Sequence, residues 1–219
     1  MTPRIAPASP RASRRTPLAG LVAGVILALA VTACGAGGAT FDPAGPCVVD
    51  GRAAGAYPDL EALLPTDLDG DPPTSVDSGR SCSADALGSL VSHDLESVTF
   101  AGATWDLGGG MGVSSVVFAA DRRLPAAWIA EFYELGARAT RKADHVQPSQ
   151  PSFAKVSVAW RIDLINDLSY QSVVTWQDGE RVRVVLVATG VSPAASAEAH
   201  DRLVELAVTE AAEAPSASD

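Results

Sequence analysis

Three apolar runs in the second half of the chain leave it few folds to adopt. Over residues 157–165, Val158, Trp160, Ile162 and Leu164 alternate with Ser157, Ala159, Arg161 and Asp163. That period of two suits a strand with one buried and one wet face and does not suit a helix. The runs 170–177 and 181–188 follow directly, joined through Asp178-Gly179, a dipeptide that tolerates the positive φ of a tight hairpin turn. Together they predict an antiparallel meander. Upstream, 98–106 and 113–120 are β-rich and flank Gly108-Gly109-Gly110-Met111-Gly112, which reads as a second hairpin with a loose tip. This glycine run lacks the Lys and Ser/Thr of a phosphate-cradling loop.

Two segments carry a helical period instead. Residues 125–142 place Trp128, Phe132, Leu135 and Ala139 on one stripe. Pro125 stands in the first turn, and Arg138, Arg141 and Lys142 stand at the C-terminal end, where cations suit the helix dipole. A last helix opens at Ser192-Pro193, with Ala199, Leu203, Leu206 and Ala207 on its apolar side and Glu198 and Arg202 spaced for an ion pair. Short helical turns are expected at 59–64, with Leu60, Leu63 and Leu64 inward and a stop at Pro65, and at 83–90, capped by Ser83. The stretch 67–81, rich in Asp, Gly, Pro and Ser, reads as a surface loop. This order predicts an α+β class: one domain over 47–213, an antiparallel sheet of about five strands with helices packed on one face, and a disordered tail over 214–219.

Candidates for chemistry are sparse. Asp67, Asp69 and Asp71, with Asp77, are the densest group of hard oxygen ligands and the one calcium candidate. An EF-hand would need glycine where Pro72 stands and glutamate where Ser78 stands, so a solvated acidic turn is the plainer reading, and neither a metal nor another cofactor is implied. His93, His145 and His200 are far apart and lack metal-ligand spacing, which leaves surface or cap roles. No serine lies in a G-x-S-x-G or S-x-x-K context, and no catalytic residue is indicated. Trp105, Trp128, Trp160 and Trp176 raise a carbohydrate or aromatic-cage reading. Trp128 and Trp160 fall on the faces predicted to be buried, while Trp105 and Trp176 lie near strand ends.

The N-terminal segment is the most specific part of the sequence. Arg4, Arg11, Arg14 and Arg15 precede an uncharged stretch of 14 residues, 18–31, which ends in Val31-Thr32-Ala33-Cys34. This resembles the signal of bacterial lipoproteins, although Val31 stands where leucine is commoner. The resemblance covers residues 1–34 only. It implies removal of the signal peptide 1–33, a diacylglycerol on the Cys34 thiol and anchorage to the membrane outside the cytoplasm; the small, almost uncharged residues 35–46 that follow read as the rest of a flexible tether over 34–46. Residues 13–18, Ser-Arg-Arg-Thr-Pro-Leu, also resemble a twin-arginine export motif, with Pro17 where an aromatic residue is usual. Both export routes stay open.

Without residues 1–33 the chain carries 12 Lys and Arg against 26 Asp and Glu, a formal charge of −14. Affinity for nucleic acid comes largely from neutralising phosphates, so DNA and RNA are excluded as partners. With Cys34 assigned to lipid, Cys47 and Cys82 remain as an even pair in a compartment that permits disulfides, and they are expected to be joined. The expected role is binding of a small ligand or an envelope protein. The rivals are a secreted hydrolase without a recognisable motif and a structural envelope-assembly factor.

Overall fold

The computed structural model describes residues 41–140, 145–166, 168–191 and 196–216; the expected signal peptide, Cys34, Lys142 and Ser192-Pro193 lie outside the described residues. Eight strands form one antiparallel sheet: β1 (Gly51–Ala53), β2 (Ser75–Ser81), β3 (Val98–Gly108), β4 (Met111–Ala119), β5 (His145–Ser149), β6 (Trp160–Ile165), β7 (Ser169–Asp178) and β8 (Arg181–Gly190). Their spatial order is β1-β2-β3-β4-β8-β7-β6-β5. The sheet is therefore two four-stranded meanders joined through their last strands, from Gly112 opposite Ala188 to Phe118 opposite Val182. Both predicted hairpins are present. β7 and β8 close from Ser169 opposite Gly190 to Asp178 opposite Arg181, and the turn places Gly179 at φ 58°, which a side chain would strain.

A helix closes each meander, and the two helices take opposite faces. α3 (Ala126–Ala139) lies against β5, β6, β7 and β8, while α4 (Ala197–Glu213) lies against β4, β7 and β8. The short α1 (Pro58–Glu61) covers β2 and β3 on the α4 side. On the α3 side, α2 (Ala84–Leu87) runs into a 3-10 turn over Gly88–His93. The expectation of about five strands with helices on one face is thus corrected to eight strands covered on both faces. The physical reason lies in the strands: Val173 and Val174, or Val184 and Val185, are successive buried residues that point to opposite sides, so each side needs its own cover. No helix among the described residues is long and apolar enough to cross a membrane.

Three strands escaped the sequence pattern. β1 and β5 are short edge strands, β5 containing Pro148, which an edge position tolerates. β2 replaces part of the loop expected over 67–81. Its buried side chains are polar, Ser78, Arg80 and Ser81, so no apolar alternation betrays it. Gly79 belongs there for a steric reason: a Cβ would sit 2.3 Å from the Gly51 carbonyl oxygen on β1.

Arg80 also corrects the tether. Its guanidinium donates to the carbonyls of Gly45 at 2.7 Å, Asp42 at 2.9 Å and Pro46 at 2.7 Å, with the Phe41 ring 5.8 Å away. The chain expected to swing freely up to residue 46 is therefore fastened from Phe41 onward. One step later the Cys47–Cys82 disulfide, expected from the cysteine count, closes a separation of 35 residues. Asp50 completes the junction by accepting from the backbone N–H groups of Cys82 and Ser83 and from the Ser83 hydroxyl. Burial pushes the Asp50 carboxyl up, but these three donors outweigh it and hold the group below its ordinary value.

Candidate functional site

β6 turns Arg161 and Asp163 toward α4, β7 turns Ser172 and β8 turns Thr189, while the first turns of α4 supply His200 and Asp201. Ser172 Oγ lies 2.8 Å from His200 Nε2, and Thr189 Oγ1 lies 2.9 Å from His200 Nδ1. The Ser172 hydroxyl donates to Asp163 Oδ1 at 2.5 Å. Arg161 donates to the same Oδ1 through Nε at 2.8 Å, and its Nη2 reaches Asp201 at 2.5 Å and Ser172 Oγ at 3.3 Å.

A serine, a histidine and an aspartate within hydrogen-bond reach invite a hydrolase reading, and the proton inventory decides against it. The one Ser172 proton goes to Asp163, so His200 Nε2 must donate to Ser172 and Nδ1 must accept from Thr189. A histidine that donates to the serine cannot take its proton. Ser172 is 1% exposed and His200 4%, which keeps a substrate out. Burial and the nearby Arg161 guanidinium hold the imidazole below its ordinary value, against Asp163 and Asp201. The group is a clamp that binds the start of α4 to three strands.

At the other end of α4 a buried cation does the same. Arg183, 2% exposed, donates from Nε to Asp178 at 2.6 Å, from Nη1 to the carbonyls of Leu63 at 2.9 Å and Ala211 at 3.0 Å, and from Nη2 to Pro215 at 2.6 Å. A cation at a helix C-terminus satisfies carbonyls that have no partner in the helix. Residues 214–216, expected to belong to a disordered tail, are consequently held against the sheet, while 217–219 lie outside the described residues.

Beside this anchor the sheet has a notch. β6 stops at Trp160, opposite Thr175, while β7 runs three residues further, so Trp176, Gln177 and Asp178 have no strand on their outer edge. The incoming loop folds on itself there through paired bonds between Phe153 and Val156. Loop, strand ends and the end of α4 enclose an open cleft of about 450 Å³. Lys155, Ser157, Trp160, Trp176, Asp178 and Ser216 stand in its lining. Across its side, Lys155 Nζ meets Glu213 at 2.9 Å.

The four aspartates of the calcium candidate are not gathered into a site. Asp67 accepts from the Gly70 N–H and the Thr66 hydroxyl, Asp77 pairs with Arg52 at 3.3 Å, and the Asp71 carbonyl accepts from the Trp105 indole. Among the described residues no three His, Cys, Asp or Glu come together to hold a metal. All four tryptophans pack on an apolar cluster, Trp128 and Trp160 on the one beneath α3 and Trp105 and Trp176 within the other. Trp105 and Trp176, left open by the sequence, are 3% and 5% exposed, whereas Trp128 and Trp160 are half-buried. Trp128 stacks on His93 at 4.3 Å, and His93 bonds Glu131 at 2.8 Å. His145 lies exposed on β5.

His200 is the functional-looking residue that sequence reasoning misplaced. A signal for it existed, since His200, Val204, Ala207, Val208 and Ala211 share one helical stripe. The cleft had none, because it arises from two strands of unequal length. No family model matches the sequence, and no curated protein or solved structure matches it.

Proposed function

We propose that the chain is a lipid-anchored extracytoplasmic domain that works by binding, with the cleft beside β7 as its site. The cleft carries this reading. It is a concavity within the range of about 300–1,000 Å³ usual for small-ligand sites, built on strand ends beside the buried Arg183, which pairs with the part-exposed Asp178. Location is supported by the lipoprotein-like signal and by the disulfide, which belongs to an oxidising compartment.

The entry of the described chain and the cleft share one end of the sheet. Through the register Ser81 lies level with Val98, Thr99 with Ala119, Phe118 with Val182 and Arg181 with Asp178. The chain enters at Arg80 and Cys82, so the cleft would face the bilayer. From Cys34 to Phe41 the backbone spans at most about 25 Å. A site so placed suits a ligand that arrives along the membrane surface or within the cell wall.

Two measurements test the reading. Cys34→Ser should move the protein out of the membrane fraction or block its processing; normal cleavage with unchanged membrane retention would refute lipidation. Native mass spectrometry of the processed full chain, before and after denaturation, should reveal a co-purified small molecule. A clean apo mass for protein taken from its native envelope counts against the cleft as a binding site.

A further inference from the structure

Two buried groups fasten α4 to the sheet, and they answer differently to acid. At the start of the helix the neutral His200 ring donates from Nε2 to Ser172 and accepts at Nδ1 from Thr189. At its end the Arg183 guanidinium donates to the carbonyls of Ala211 and Pro215. A guanidinium keeps its charge in mild acid, whereas an imidazole is the side chain that gains one there.

A proton added to His200 goes to Nδ1, the ring nitrogen that carries none, and turns the acceptor facing Thr189 into a second donor. The Thr189 hydroxyl then loses the acceptor of its own proton. The charge would arise on a residue that is 4% exposed. Every packed element brings a neighbour to it: β6 the Arg161 guanidinium and the Asp163 carboxylate, β7 the Ser172 hydroxyl and the Tyr170 ring at 5.8 Å, β8 the Thr189 hydroxyl, and α4 itself Asp201. Both carboxylates are already bound by Arg161, at 2.8 and 2.5 Å. Burial and the Arg161 charge therefore prevail over them in disfavouring an imidazolium.

We infer that His200 is an acid-sensitive latch: below neutral pH the first two turns of α4, residues 197–204, come away from the sheet while 205–213 stay docked. The far half keeps Arg183 and the packing of Ala207, Val208 and Ala211. Acid even favours it, because burial and the charges of Asp67, Glu213 and Asp69 hold the Glu210 carboxyl above its ordinary value, so protonation there relieves repulsion. Ala212 and Ser216, which line the cleft, lie at this docked end, and the latch is independent of the binding reading.

The test is hydrogen–deuterium exchange of the full chain at pH 7 and pH 5, read by mass spectrometry, with exchange times scaled for the pH dependence of free amides. Two turns of helix do not persist alone, so their amides exchange once they are released. Peptides within 197–204 should lose protection severalfold, and by no more than about thirtyfold, the limit for a ring that takes its proton near pH 6.5 when released. Peptides within 205–213 should keep theirs. His200→Gln, whose amide can still donate to Ser172 but takes no proton, should protect 197–204 equally at both pH values. Equal loss in both halves of α4, no loss in the parent, or the parental loss persisting in His200→Gln would overturn the latch. Should that variant leave 197–204 unprotected at either pH, the parent decides: the midpoint of its loss must coincide with the titration of the His200 ring followed by nuclear magnetic resonance, and a mismatch overturns the proposal.

Discussion

Beneath α3 the interior is built from Val98, Phe100, Phe118, Leu124, Ile129, Ile162, Val182 and Val184, whose contacts have no required direction. Beneath α4, Val174, Val185, Val187, Val204 and Val208 share the space with Arg183, His200, Ser172 and Thr189, each held by hydrogen bonds of fixed partner and geometry. One sheet thus has a face that depends on volume and a face that depends on pairing. Apolar packing fails gradually as shape is lost, whereas a buried polar network fails at once when one member leaves another unpaired.

The sharpest way to break this comparison is a change of similar volume on each face. Arg183→Met should cost about 3–5 kcal/mol, because it strips Asp178 and the Ala211 carbonyl of their buried partner. Phe100→Leu, on the other face, should cost less than about 1.5 kcal/mol. Urea unfolding of both variants decides it, and equal losses would erase the distinction. Between them in size, Cys47→Ala with Cys82→Ala should lower stability by about 3–4 kcal/mol through the unfolded chain, with neither core disturbed. Retention of the parent midpoint in that double variant would mean that Arg80 and Asp50 hold the edge without the bond.

A pH scan sharpens the comparison further. The folded-state pKa of His200 lies below its ordinary 6.5, so the unfolded chain takes the proton first. The contribution of the neutral ring is complete above about pH 6.5 and is lost as pH falls from there through the folded value. Melting temperatures between pH 7 and 5 should therefore fall in the parent with a slope that His200→Gln lacks. Parallel curves would remove His200 from the account. The smallest effect belongs to the exposed pair at 2.9 Å, Arg202 with Glu198: Arg202→Ala should shift stability by no more than about 0.5 kcal/mol.

Much of this was legible along the chain. The hairpins were announced by alternation and by Asp178-Gly179, and the Ser83 side chain caps α2 by accepting from the Ala86 N–H, as its position suggested. The stripe read on α3 was displaced: Ala126, Ile129, Ala130 and Ala137 are buried, while Leu135 is 48% exposed. Small residues win that face because they let the helix approach the sheet, and hydrophobicity alone ranks the larger ones first. Strand β6 alternates from Trp160 onward, with Val158 before it and 59% exposed, and its polar side is only partly exposed at Arg161 and Asp163 for a reason no local pattern contains, namely that α4 brings His200 and Asp201 over it.

By itself, the sequence determined the class of elements, the hairpin turns, the pairing of Cys47 with Cys82 and the expectation of a lipid anchor at Cys34. These depend on neighbours a few residues apart or on simple counting. Only the tertiary structure decided that the sheet has eight strands, that helices cover both its faces, that Arg80, Arg183 and His200 are clamps, and that a cleft opens where β6 ends before β7. Each of those joins groups dozens of residues apart, such as Arg183 with Leu63, and a bond of that reach leaves no trace in local periodicity.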